Sequence, residues 1–332
     1  MTASSPQGAR RPGATAIHSL SRFVTTVPDL DAAERFHRAF GLDVRRVGDR
    51  LDLHTFGGPP SPWASIHAAP GPKKLQFLSF ASSGGAPAPT GFAGWQRDEP
   101  PAGAERCAPH PLGTPEGLWL RHPDGWAAQV IVGPKKTPDR PTTAAAAPGP
   151  VRNAGRAPMR SAVAPVRPRR LSHVLLFSPA PPRCWNWLQQ VLGLRMSDWS
   201  GEGIAFLHGA HGSDHHLVAV VGSEGPGMHH CSWDVASLDE VGLGMEQMLK
   251  AGYTEGWGVG RHVLGSNYFY YARDPFGGYN EFSFDIDHVA ADDEWPAREQ
   301  SPDDSFYVWG PQVPPYFVVN TEIEPPPAPA HG

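Results

Sequence analysis

Apolar and polar positions follow one plan twice along this chain. In the first half LSRFVTTV (20–27) reads as a strand and leads into DLDAAERFHRAFGL (29–42), where Ala33, Phe36 and Phe40 fall at helical spacing and Gly41 stands where the helix should end. In the second half LSHVLLF (171–177) leads into PPRCWNWLQQVLGL (181–194), with Trp185, Leu188 and Leu192 on one face and Gly193 at the end. The closing strands correspond too, RHPDGWAAQV (121–130) against RDPFGGYNEF (273–282). Two copies of one module, a strand and helix followed by further strands, are the simplest reading.

Within the second copy a further helix is predicted after Ser237. Ser237 and Glu240 have capping-box spacing, Val241, Met245, Met248 and Leu249 form an apolar stripe, and Gly252 ends it. The preceding HCSWDV alternates as a strand, with Cys231, Trp233 and Val235 on one face and His230, Ser232 and Asp234 on the other. If the apolar face meets the helix, His230 points into the opposite concavity.

The connecting segments lack either period. Residues 136–170, rich in Pro, Ala and Arg, read as a linker, and 82–117 as a long loop. Residues 1–15 and the Pro-rich EIEPPPAPAHG are expected to be disordered. The division is therefore 1–15 N-terminus, 16–135 first module, 136–170 linker, 171–290 second module, and 291–332 C-terminal extension and tail. A chain of 332 residues, 40% apolar, is long enough for two packed units.

A net charge of -5 offers no basic face for nucleic acid or anionic membrane. No run of apolar residues is long enough to span a bilayer, and the N-terminal arginines are followed by no apolar signal core. Cys107, Cys184 and Cys231 have no CxxC spacing, so a reducing, cytoplasmic setting is expected, without a disulfide framework or structural zinc. Small-molecule chemistry is left as the better class. Histidine is over-represented, with sixteen residues of which ten lie in the second half, several as adjacent pairs.

Three strands of the second module each carry one potential ligand on a single face: His173 alternating with Leu175 and Phe177, His230 with Ser232 and Asp234, and Glu281 with Tyr279 and Ser283. Two imidazoles and one carboxylate form the facial set of non-haem iron(II) sites, which leaves positions open for substrate and oxygen. Periodicity alone equally allows buried, hydrogen-bonded histidines and a solvated glutamate.

The motifs LSHVLLF, HHLVAVVGSEGPGMHHCSWDV and RHVLGSNYFYYARDPFGGYNEFSFD, covering 171–284, resemble the type I extradiol dioxygenases of the vicinal-oxygen-chelate superfamily. The resemblance implies an α+β fold of two tandem modules, each of paired βαβββ repeats forming an open, curved barrel. It implies cleavage of a catechol-type ring with O2 as co-substrate at one Fe(II), with Mn(II) as the alternative ion, in aromatic-compound degradation. His173, His230 and Glu281 match the family's metal ligands. The acid–base histidine is matched by His216 or His215, fourteen and fifteen residues ahead of His230, with His216 favoured because it leads the apolar strand and has Ala219 three places on. His262 and Tyr271 match residues that orient substrate and oxygen; a loop histidine and a strand aromatic are their structural alternatives. The expected partners are a small aromatic diol and further copies of the chain.

The first module has the pattern without the ligands. Arg22 stands opposite His173, Gln129 opposite Glu281, and Gln76 near the His230 position. A metal-free structural copy is expected there. A 2-oxo-acid-dependent oxygenase of the same fold is the nearest rival, disfavoured by the His216, His262 and Tyr271 neighbourhood. A glyoxalase-type isomerase would draw ligands from both modules, and a binding protein of bleomycin-resistance type would need no metal. The aromatic DSFYVWGPQVPPYF (304–317) is a candidate cover for the pocket, with core packing as its alternative.

Overall fold

The computed structural model describes residues 10, 11, 14, 16–83, 103–142 and 157–323. The first module comprises β1 (Ser19–Val27), α1 (Leu30–Phe40), β2 (Asp43–Val47), β3 (Arg50–His54), β4 (Ala64–Ala68), β5 (Lys74–Ser82), β6 (Glu105–Arg106), β7 (Leu118–Arg121) and β8 (Ala127–Val132). Its sheet runs β2-β3-β4-β1-β5-β8-β7-β6, so two four-strand halves meet at the antiparallel β1–β5 seam.

The second module begins with β9 (Arg170–Ser178), α2 (Pro181–Leu192), β10 (Arg195–Ser200), β11 (Ile204–His208), the short β12 (Ser213–Asp214) and β13 (Val218–Gly222). Its second repeat is β14 (Gly227–Asp234), α3 (Leu238–Lys250), β15 (Gly256–His262), β16 (Tyr268–Arg273) and β17 (Tyr279–Phe284). The C-terminal extension adds β18 (His288–Val289), β19 (Arg298–Glu299) and β20 (Tyr307–Trp309). Strand order β19-β10-β11-β13-β9-β14-β17-β16-β15-β20 reproduces the first sheet, with β9–β14 as the seam and one extension strand at each edge. Both are mixed, curved sheets; the second is built of paired βαβββ repeats, whereas in the first only the leading repeat has its helix, β5–β8 having none among the described residues. No helix among the described residues is long and apolar enough to cross a membrane.

The helices form where their caps allow. Asp29 accepts the Ala32 N–H at 2.9 Å to start α1, and Gly41 ends it at φ 98°. A side chain at Gly41 would also strike the Val166 carbonyl, 2.1 Å from the Cβ position. Ser237 caps α3 through the Glu240 N–H, while the Glu240 carboxylate reaches back to the Ala236 N–H at 2.7 Å. Val241, Gly244 and Met248 are the buried face of α3; Leu249, expected in the stripe, is 41% exposed because it lies beyond the edge of that contact. Apolar packing joins the modules, with the Phe40 ring stacked 3.9 Å from that of Phe282.

Several connecting segments are more ordered than their composition suggests. Within 82–117, Glu105–Arg106 pairs with β7, and residues 84–102 lie outside the described residues. In the linker, Thr137 Oγ1 donates to the His18 carbonyl and the Val166 N–H to Gln247, and Arg170 already belongs to β9. Arg11, placed in the N-terminal tail, ion-pairs with Glu294, while most of 1–15 lies outside the described residues. Glu322, the first residue of the supposed tail, is buried and accepts the N–H groups of Leu75 and Met228; residues 324–332 lie outside the described residues. Composition could not reveal that one carboxylate of the segment closes two backbone donors.

Register aligns the two copies position by position. Ser79 pairs with both Arg22 and Gln129 in the first sheet, as Ser232 pairs with His173 and Glu281 in the second. Val24 faces Phe77 where Leu175 faces His230. The counterpart of His230 is thus Phe77; Gln76 is one residue away and bonds Thr26 instead. Bulges in β1–β5 and β9–β14 shift the count by a residue, which strand alternation alone does not register.

Candidate metal centre

Three adjacent strands, β9, β14 and β17, carry His173, His230 and Glu281 into one concavity. His173 Nε2 lies 3.3 Å and His230 Nε2 3.8 Å from Glu281 Oε2, with all three side chains at most 5% exposed. One donor atom from each falls within 4.8 Å of the others. His230 Nε2 and Glu281 Oε2 are buried without a hydrogen-bond partner. Leaving such a group unsatisfied costs about 1–3 kcal/mol, more when it is charged. Two bare acceptors turned on one point fit a cation, and this donor set suits a transition-metal dication with open positions.

The outer hydrogen bonds assign the ring protons. Ser172 donates its hydroxyl to Asp214 at 2.7 Å and can then accept from His173 Nδ1 at 3.2 Å, which leaves His173 Nε2 unprotonated. His229 Nε2 donates to the Phe317 carbonyl at 2.6 Å, so its Nδ1 accepts from His230 Nδ1 at 2.7 Å. His230 Nε2 is again the bare nitrogen. Burial, then the neighbouring His229 and His173, push the His230 imidazole well below its ordinary pKa and keep it neutral. For Glu281 burial acts in the opposite sense, but the neighbouring imidazoles, His173 first and then His262, hold its carboxyl below the usual range. Asn267 Nδ2 donates to Glu281 Oε1 at 3.0 Å and fixes the carboxylate plane.

The remaining candidates take distinct places. His216, just before β13, lines the cavity with its ring centroid 4.0 Å from that of His173. His215 lies behind it, fully buried, with Nε2 2.9 Å from Asp198 and Nδ1 3.0 Å from His216 Nδ1. His262 is the last residue of β15, and its Nδ1 donates to the Phe306 carbonyl at 3.1 Å. Its Nε2 therefore accepts the Tyr271 hydroxyl at 2.9 Å, 4.0 Å from Glu281 Oε1. Burial, followed by the Glu281 charge, raises the Tyr271 phenol well above its usual value, so it remains a donor.

The cavity holds about 420 Å³. Its walls are Leu175, Ile204, Phe206, Val221 and Leu264, with Pro302, Phe306 and Phe317 contributed by the C-terminal extension. Among the described residues, no Lys or Arg lines it. Sequence reading did not single out Asn267, His229 or Asp198, although the doubled histidines at 215–216 and 229–230 were a visible signal that each inner ring has an adjacent partner.

At the first module's equivalent positions, Arg22 lies 5.6 Å over the Phe77 ring and Gln129 donates to Thr114 and Glu116, an arrangement without ligands. A second potential cluster, His122, Asp124 and Cys184, joins the modules, but its carboxylate oxygens are taken by Ser178 and Arg183 and His122 Nδ1 by the Asp124 N–H.

Residues 170–282 match the Glyoxalase/Bleomycin resistance protein/Dioxygenase superfamily. Metapyrocatechase 2 from Cupriavidus necator is 46% identical over 309 residues, spanning 92% of this chain and 93% of that protein. A manganese-dependent 2,3-dihydroxybiphenyl 1,2-dioxygenase from Geobacillus genomosp. 3 is 22% identical over 160 residues, 45% of this chain and 51% of that one. An extradiol ring-cleaving dioxygenase from B. fuscum shares the fold, with a TM-score of 0.69 at 20% identity over 94% of this chain and 85% of that structure. The long match to Metapyrocatechase 2, on a fold shared with ring-cleaving dioxygenases, places this chain in the Glyoxalase/Bleomycin resistance protein/Dioxygenase superfamily, among its extradiol dioxygenases.

Proposed function

We propose that this chain cleaves the ring of an uncharged catechol with dioxygen, at a single Fe(II) held by His173, His230 and Glu281. The observation that carries the reading is the pair of buried, unpartnered acceptors, His230 Nε2 and Glu281 Oε2, facing each other beside His173 at the floor of an apolar cavity. A bound ferrous ion would supply chelation of the vicinal diol and activation of dioxygen. Iron is preferred to manganese on family resemblance, since the donor set serves both.

The protein's own groups divide the remaining work. Leu175, Ile204, Phe206 and Val221 enclose the ring, and Phe306 and Phe317 limit water. His216, neutral because burial and then His173 and His215 push its pKa well down, accepts a diol proton at Nε2 and can return it as the ring opens. The Tyr271 hydroxyl, its proton engaged by His262, offers an acceptor beside His230 and orients a substrate hydroxyl there. With no cation in the cavity wall, a carboxylate substituent would be buried unpaired, which favours catechols with hydrogen or alkyl substituents.

The test is anaerobic loading with Fe(II), followed by air and a panel of catechols. Oxygen uptake and a yellow ring-opened product are expected with uncharged members; neither appearing across the panel in metal-loaded protein would overturn the proposal. His230→Ala should lose the metal, whereas His216→Phe should keep iron and lose turnover. Normal iron content in both variants would refute the ligand assignment.

A further inference from the structure

The two histidine doublets at the cavity are wired alike. In each, the outer ring donates Nε2–H to a fixed acceptor, which frees its Nδ1 to receive the Nδ1–H of the inner ring. The inner ring then presents Nε2 without a proton. For His229–His230 this is the state a ligand needs. For His215–His216 it is the state a proton acceptor needs, and nothing in a free imidazole enforces it.

The anchors differ. His229 is tied to a neutral carbonyl, that of Phe317, whereas His215 is tied to the carboxylate of Asp198. Asp198 sits at a bulge of β10 and is gripped by Gln300 at 2.8 Å and Trp295 at 3.3 Å, both from the C-terminal extension. The His215 ring is fully buried, with the Trp295 ring centroid 5.1 Å away. A carboxylate accepts only, so His215 Nε2 carries a proton, and in the neutral ring Nδ1 then accepts. With a neutral His215, the chain from Asp198 to His216 has one consistent proton arrangement.

We propose that Asp198 and His215 are positioning residues for ring cleavage, holding the His216 imidazole in the tautomer and orientation that present a bare Nε2 to the substrate hydroxyl. This rests on His216 as the acid–base group. Neither residue touches the cavity; they act through the ring in front of them.

His215→Phe keeps an aromatic ring but removes the acceptor, and His215→Asn returns an acceptor oxygen near the lost Nδ1. In His215→Phe, kcat per bound iron should fall roughly 10- to 100-fold with KM and iron content unchanged, and His215→Asn should recover part of it. In histidine 15N spectra of the metal-free protein, His216 should be the Nδ1–H tautomer in wild type and a mixture in His215→Phe. If His215→Phe does not fold, Asp198→Ala tests the same chain from its outer end, with the same expected loss and mixture. A wild-type His216 protonated at Nε2, or unchanged kcat per iron in the variant, would overturn the inference. Full turnover in His216→Phe would instead remove the acid–base reading, while the tautomer measurement would still decide the wiring.

Discussion

Lys73→Met tests how the first module holds β17, the strand of Glu281, in place. Lys73, just before β5, reaches across to Asp274 with Nζ 2.7 Å from Oδ2, and the two side chains are 6% and 4% exposed. The other carboxylate oxygen of Asp274 accepts the N–H groups of Phe276 and Gly278, closing the turn that leads into β17 and Glu281. Burial alone would raise the Asp274 carboxyl, but Lys73 outweighs it and holds the group below the usual carboxylate range. Removing the cation leaves that charge buried with only backbone donors. Breaking such a pair costs about 3–5 kcal/mol, and the surviving N–H bonds place this case near the lower end, about 3 kcal/mol. Glu322, pushed up to about 7 by burial while Lys73 pulls it down, loses the same neighbour. Urea unfolding at neutral pH reads the loss, and Lys73→Met with Asp274→Asn should recover most of it because both charges are then gone. The sign with pH follows from the depressed carboxyl: its stabilisation is present above the ordinary Asp pKa and is lost as pH falls through the folded-state value. Lys73→Met should lack that acid limb. A single variant within about 0.5 kcal/mol of wild type would refute the reasoning, since that is the range of an ordinary surface substitution.

Asn267→Leu removes the donor that fixes Glu281 Oε1, and chelator competition should show iron affinity lowered about 10- to 100-fold; unchanged affinity would mean that the carboxylate is oriented without it. Gly244→Ala would place a Cβ 2.7 Å from the Phe282 ring, so thermal unfolding should report about 1–3 kcal/mol of lost stability despite alanine's better helix propensity, and a more stable variant would show that α3 can shift freely. His37, His122 and His229 are each pushed down to about 4, chiefly by burial, from an ordinary 6.5. Between those values the unfolded chain protonates them and the folded one does not, so stability should rise with pH by about 1.4 kcal/mol per unit for each. Urea midpoints equal at pH 5 and pH 7.5 would contradict this.

The parts of the fold and site that were legible in sequence are those written with a short period. Ala33, Phe36 and Phe40 mark α1 because a helix returns to its buried face every third or fourth residue, and Gly41 marks its end because that position needs a positive φ. Strand alternation likewise put His173, His230 and Glu281 each on one face of its strand; the family resemblance singled them out as candidate ligands, and the contrast with the first copy sharpened that reading. The same alternation missed Phe77 by one residue, because a bulge changes the count without changing the composition around it.

What alternation cannot carry is the setting of each candidate ligand. Asp198 reaches His215 across seventeen residues and Gln300 across about a hundred, and His229 meets Phe317 at a comparable separation. No local period links such pairs; those to Gln300 and Phe317 exist only because the C-terminal extension folds back over the second sheet. This is also why His215 and His216 were nearly equivalent as letters and are distinct as groups. His216 lines the cavity, and His215 takes its identity from the Asp198 carboxylate seventeen residues before it. A substitution in the extension at Trp295 or Gln300 should therefore act on kcat through Asp198 while the ligand set stays intact, whereas one that displaces Phe317 should act on metal retention through His229. Separate responses to those two kinds of change would follow from the two anchors, and a common response would mean that the extension acts only as a cover.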